Sequence, residues 1–442
     1  MTAEIVIMNK EAVALAADSA ITTIGKRGPK IFTSANKIFA LSRHAPIGIM
    51  VYGTYSFMEV PWEIIIKNYR SKLKSKEFNT LKEYSDDFLD FLKQEKKLYP
   101  ESVQKNHFKQ YVYFYFFQIK KLIRKKIYQW IIKNKKIPTK EIEDIVSEII
   151  KEHHKKLKGA KTIPNLPKNH KEQCKKKYGK IIEEAKKDIF EVLPITQSLS
   201  RLLIELALNL FSKIPEKIFP PDVSGIVIAG FGYNDMFPSL QSFLIEGVVN
   251  NVLQYRKHLE NIIDFEKNIG TVVPFAQQEM VWAFMEGVNP DYEQEIERYF
   301  SLVCDEYPKI IIENINKIDN KEREELKEKL KKYSNYWKEQ CKKRLKEYRR
   351  EKYVNPVVRI VAMLSKDELA AMAGSLVSLT SFKKRVTIEA ETVGGPIDVA
   401  IISKGDGFIW VKRKLYFKPE LNPRFFEKYK KEVISDERGP KK

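Results

Sequence analysis

Four short apolar runs, separated by turn residues, fill the stretch from Thr2 to Tyr55 and commit the start of this chain to strands. The first, Ala3-Glu4-Ile5-Val6-Ile7-Met8, alternates and breaks at Asn9-Lys10-Glu11. A second, Ala12 to Ala17, ends on Asp18. Two such runs across so short a turn predict a hairpin. After a loop rich in Gly, Pro and Lys, Gly25 to Lys30, a third strand is expected over Asn36 to Leu41 and a fourth over Ile47 to Tyr52, running into Gly53. A hydroxyl (Thr2), an acid (Asp18), a base (Lys37) and a glycine (Gly53) therefore stand at strand ends.

Each of these groups has a use in acyl transfer. A small second residue such as Thr permits loss of Met1, which leaves a free threonine whose own α-amine can serve as general base. That amine titrates near ~7.7–8.0, and a neighbouring ammonium such as Lys37 favours its neutral form. Asp18 holds the lysine charged and in place. Gly53 can offer a backbone N–H to a developing oxyanion with no side chain in the way.

Ala16-Ala17-Asp18-Ser19, then Asn36-Lys37-Ile38-Phe39, then a glycine after an apolar strand resemble proteasome β-type subunits, members of the N-terminal-nucleophile hydrolases. The resemblance implies an α+β fold, a four-layer αββα sandwich, here with two long helical insertions. It places the nucleophile on Thr2, the aspartate on Asp18, the lysine on Lys37 and the oxyanion glycine on Gly53, and it implies a threonine peptidase or amidohydrolase acting on a peptide or amide substrate.

Two later blocks resume the likeness. Ser224 to Gly232 is expected to be a buried strand into a glycine turn, with Pro238 to Gly247 as its partner. Gly230 and Gly232 do not open a helix, so a phosphate loop fails its context test. Ser365-Lys366-Asp367-Glu368 is a capping box that opens a helix through Leu369, Met372, Leu376 and Leu379. Gly394-Gly395, an apolar strand from Ile397 to Ile402, a turn at Gly405-Asp406-Gly407 and Phe408 to Val411 then close a hairpin that resembles the family's final strands. In the family a Ser precedes the paired glycines and an Asp stands three residues before it. Here those positions are Val393 and Ala390, with Glu389, Glu391 and Thr392 as the nearby polar residues.

Between the blocks the pattern is helical. Ser56 to Leu73, with Pro61 near its start, and Leu81 to Leu98 repeat apolar residues at helical spacing. Residues 76–215 read as a basic insertion between a first half-domain at 1–75 and a second sheet and helix at 216–291, with a loop expected from Gly159 to Asn169. A further helical insertion spans 292–355, and 356–442 closes the domain and carries the tail. In the second insertion Leu326, Leu330, Tyr333, Trp337, Cys341, Leu345 and Tyr348 form one stripe, suited to the first insertion or to a partner subunit.

The net charge of +21 comes mostly from the first insertion, where Lys105 to Lys187 holds 24 Lys or Arg against 8 acids. Basic residues interleaved with Tyr111, Phe114, Ile119, Leu122, Ile127 and Trp130 fit nucleic acid; the simpler account is that lysines solvate long helices. An inactive proteasome-like scaffold that binds nucleic acid or a protein partner through this insertion is thus the alternative to a hydrolase, and a homo-oligomer fits either. Cys174, Cys304 and Cys341 lack ligand spacing, and His153 and His154 are adjacent and do not share a helix face, so no metal and no cofactor are expected. No run reaches the roughly 18–20 apolar residues that span a bilayer, and no secretory signal is evident, so a cytoplasmic setting without membrane partners is expected.

Overall fold

The computed structural model describes residues 2–25, 28–164, 166–215, 218, 220, 222–315, 319–387, 393–424 and 426–427. Strands open the chain: β1 Ala3–Asn9, β2 Ala12–Ala17, β3 Ile21–Gly25, β4 Gly28–Phe32, β5 Ile38–Ala40 and β6 Ile47–Gly53. Six helices follow: α1 Trp62–Leu73, α2 Leu81–Gln94, α3 Glu101–Asn134, α4 Thr139–Gly159, α5 His170–Phe190 and α6 Gln197–Asn209. Next come β7 Ser224–Gly230, β8 Ser239–Val249, β9 Val252–Ile262 and β10 Gly270–Ala276. The remainder is α7 Glu279–Glu286, α8 Pro290–Glu313, α9 Asn320–Arg349, a π-helical turn Arg350–Val354, α10 Asn355–Val361, α11 Lys366–Val386, β11 Asp398–Ser403 and β12 Gly407–Lys412. The fold is mixed α and β with antiparallel sheets.

The chain divides into two compact units, one drawn from 1–38, 236–238 and 262–442 and the other from 39–235 and 239–261. In the first, five strands pair in the order β10-β1-β2-β11-β12. Glu4 stands opposite Ala17 of β2 and Phe275 of β10. Successive residues of a strand face opposite ways. Accordingly Ala3, Ile5 and Ile7 of β1, with Ala12, Ala14 and Ala16 of β2, share a core with Leu369, Ala373, Leu376 and Val377 of α11. The alanines of β2 and the small residues Ala370, Ala373 and Gly374 of α11 let helix and sheet approach closely; a Cβ on Gly374 would lie 3.4 Å from Val399. The capping box expected at Ser365 is present, its backbone N–H donating to Glu368 Oε2 at 3.1 Å.

Helices α8 and α9 pair with each other, joined by ion pairs Lys338–Asp305 at 2.6 Å and Lys342–Glu297 at 3.1 Å. Their pairing leaves much of the expected stripe uncovered: Tyr333 is 63% exposed and Trp337 59%.

In the second unit the sheet order is β9-β8-β7-β6-β5, with β7 antiparallel to both β8 and β6. Its core joins Ile47, Ile49, Ile226 and Phe243 to Trp62, Ile65 and Tyr69 of α1 and to Tyr84, Phe88 and Leu92 of α2. A separate core belongs to α3, α4, α5 and α6, where Phe108 stacks on Tyr178 at 4.4 Å and on Phe211 at 4.3 Å. Of the apolar residues interleaved with lysine, Tyr111 and Ile119 are spent on this core.

Several elements differ from expectation. Helix α1 begins at Trp62 rather than Ser56, because Met58 and Glu59 take positive φ (50° and 67°) and Pro61 caps the helix. Of the loop expected from Gly25 to Lys30, Gly25 belongs to β3 and Gly28, Pro29 and Lys30 to β4, two strands that pair antiparallel, and β9 is a strand with no counterpart in the sequence reading. Of the loop expected from Gly159 to Asn169, Gly159 ends α4 and Lys161–Thr162 form a two-residue strand. Among the described residues no helix is long and apolar enough to cross a membrane.

Candidate active site

Thr2 precedes β1 and shares a strand face with Glu4, the face opposite Ala3 and Ile5 and so away from α11. Both are buried, Glu4 completely. The Thr2 hydroxyl donates to Glu4 Oε2 at 3.0 Å. Thr2 is anchored through its carbonyl, which accepts from the Gln277 N–H at 3.0 Å.

Asp18, just past β2, is the hub. Its Oδ1 accepts from the Ala3 N–H at 3.0 Å and from Lys37 Nζ at 2.5 Å. Its Oδ2 accepts from the N–H groups of Ala20 at 3.1 Å and Gly394 at 3.0 Å. A carboxylate that accepts from four donors is held in place and fixes the groups it touches. Lys37, immediately before β5, also lies 3.4 Å from Glu4 Oε1, its ion contact there, and among the described residues that oxygen has no hydrogen bond.

One ammonium therefore serves two carboxylates. Burial raises the Glu4 carboxyl from its usual value to about 7, and the Asp18 charge pushes the same way, while Lys37 and the Thr2 hydroxyl hold it back. With Glu4 protonated the buried set is neutral; ionised, it carries one net negative charge. Near neutral pH the group beside the hydroxyl is thus poised to take or release a proton.

The paired glycines complete the cluster. Gly394 donates to Asp18, and its carbonyl accepts from the Ser19 N–H at 3.2 Å. The Ser19 hydroxyl donates to the Pro396 carbonyl. Gly395 has φ +78°, and a Cβ there would come within 2.9 Å of the Thr33 carbonyl, so only glycine fits. Val393, where the resembled family has serine, is buried in the core beneath α11. Ala390, Glu389, Glu391 and Thr392 lie outside the described residues.

The structure brings Thr2, Asp18 and Lys37 together around Glu4. Gly53 belongs to the second unit, where it ends β6 with φ +83°; a Cβ there would sit 2.5 Å from the Val223 carbonyl. Glu4 is the residue that sequence reasoning passed over. Its signal was an acid two residues beyond Thr2 inside an apolar strand, hence on the same face.

His153 meets the Tyr115 hydroxyl at 2.8 Å while His154 meets Glu205 at 2.7 Å, so the two diverge. Burial pushes the Cys174 thiol up to about 12. Among the described residues no group of three or more His, Cys, Asp or Glu could hold a metal ion. Comparison of the chain with known family profiles, with curated proteins and with solved structures finds no match in any of the three.

Proposed function

We propose that this chain is a proteasome-like N-terminal-nucleophile hydrolase that cleaves peptide or amide bonds once residue 1 has been removed, with the four-layer αββα arrangement that such a hydrolase has. The observation that carries this reading is the buried set of Thr2, Asp18 and Lys37, in which Asp18 ties the lysine and the start of β1 to one point. A hydroxyl at a chain terminus, held beside a fixed ammonium–carboxylate pair, suits covalent acyl transfer. Thr2 Oγ1 attacks the carbonyl carbon, a base beside it takes the proton, a backbone N–H receives the oxyanion, and water releases the acyl group.

The test is turnover of a panel of fluorogenic peptide amides by the full chain and by Thr2→Ala. Loss of all hydrolysis in a variant that unfolds at the wild-type temperature is the expected result. Full turnover without the hydroxyl contradicts the mechanism.

A further inference from the structure

Among the described residues the acceptor of the Thr2 hydroxyl is a carboxylate oxygen. It is Glu4 Oε2, at 3.0 Å, the distance from which a general base removes a proton directly. Lys37 Nζ is occupied by Asp18 and by the other oxygen of Glu4, so the lysine is placed to hold the two acids rather than to reach the hydroxyl. The neighbours of Glu4 across the sheet, Ala17 and Phe275, carry no charge. Among the described residues the charged groups acting on it are Lys37 and Asp18, and removal of residue 1 adds the Thr2 α-amine to them.

We infer that Glu4 is a catalytic residue, the general base for Thr2, in the place that an N-terminal amine would otherwise take. This rests on the proposed hydrolase reading. As the Oγ1–carbon bond forms, the hydroxyl proton passes to Glu4 Oε2 and the carbonyl π pair moves onto oxygen. When the tetrahedral species collapses, the carbon–nitrogen bond breaks and the departing amine takes the proton from Glu4. Water then attacks the ester, giving one proton to Glu4; Thr2 Oγ1 recovers it as the acid leaves. The sum is amide plus water to acid plus amine. Asp18 and Lys37 are positioning residues that hold Glu4 beside the hydroxyl.

Acylation of the full chain by a β-lactone, read as added mass at Thr2, tests this. In the wild type the rate should rise with pH and level off once the Glu4 carboxyl, raised above its ordinary value by burial, is ionised. Its inflection should barely move between two temperatures, since carboxyl ionisation has little enthalpy whereas an amine's is large. Glu4→Gln should slow acylation about 100-fold or more and remove the inflection. Equal rates in Glu4→Gln and wild type overturn the inference, as does an inflection that falls with warming as an amine's does. The temperature test needs only the wild-type chain, so it decides the matter even if the variant misfolds. Absence of any adduct on wild-type Thr2 instead sinks the hydrolase reading itself.

Discussion

Replacing Asp18 with Asn changes one atom and should nevertheless be among the costliest substitutions in the first unit. Both carboxylate oxygens accept two donors: the Ala3 N–H and Lys37 on one, the Ala20 and Gly394 N–H groups on the other. Whichever way an asparagine amide turns, its NH2 faces two donors and satisfies neither. Each buried donor left without a partner costs about 1–3 kcal/mol. Removing one member of a buried ion pair costs about 3–5 kcal/mol. These overlap at Lys37, and Glu4 compensates in part, because loss of the Asp18 charge lets Lys37 draw Glu4 into its ionised form. A net loss of about 4 kcal/mol is expected, a large share of the roughly 5–15 kcal/mol of a typical domain. Urea denaturation followed by circular dichroism measures it. Asp90→Asn is the control, since its pair with Lys93 is exposed and worth at most about 1 kcal/mol. A loss below 1 kcal/mol for Asp18→Asn, indistinguishable from the control, would refute the hub role given to Asp18.

Two further predictions concern Glu4 and the helical core. Because the folded-state pKa of Glu4 is raised to about 7 from 4.5, the folded chain binds the proton more tightly than the unfolded one. Its contribution is therefore most favourable below pH 4.5 and is lost as pH rises to 7, a change of about 3 kcal/mol. Glu4→Gln should remove that slope, so denaturation midpoints of variant and wild type should diverge between pH 5 and 8 in favour of the variant; parallel curves would contradict the burial of an ionisable Glu4. In the second unit Phe108→Ala should cost about 3–5 kcal/mol, since the ring is fully buried between Tyr178 and Phe211. A calorimetric melt unchanged by that substitution would show that α3 is not packed as described.

The legible parts of the fold were those in which local pattern and tertiary role coincide. Strands β1, β2 and β6 are short apolar runs bounded by turns, and α11 has its capping box. Strand β9 escaped notice because it is an edge strand with Gln254, Arg256, His258 and Glu260 along it, and an edge needs no continuous apolar run. Periodicity alone starts α1 too early because helical spacing continues upstream of Pro61, while the positive φ of Met58 and Glu59 is not written in periodicity. Within the site, Asp18 and Lys37 stood out by their place at strand ends. Glu4 did not, because an acid in a strand ordinarily faces water. What makes it different is burial beside Lys37, a consequence of bringing residues distant in sequence to one point.

Intact mass of the purified chain, before and after a peptide epoxyketone, tests the central claim most directly. That reagent bonds both the hydroxyl and the free amine of an N-terminal threonine. The account predicts loss of residue 1 and a single adduct, mapped by fragmentation to Thr2 and absent from Thr2→Ala. Retention of residue 1 with no adduct would contradict it.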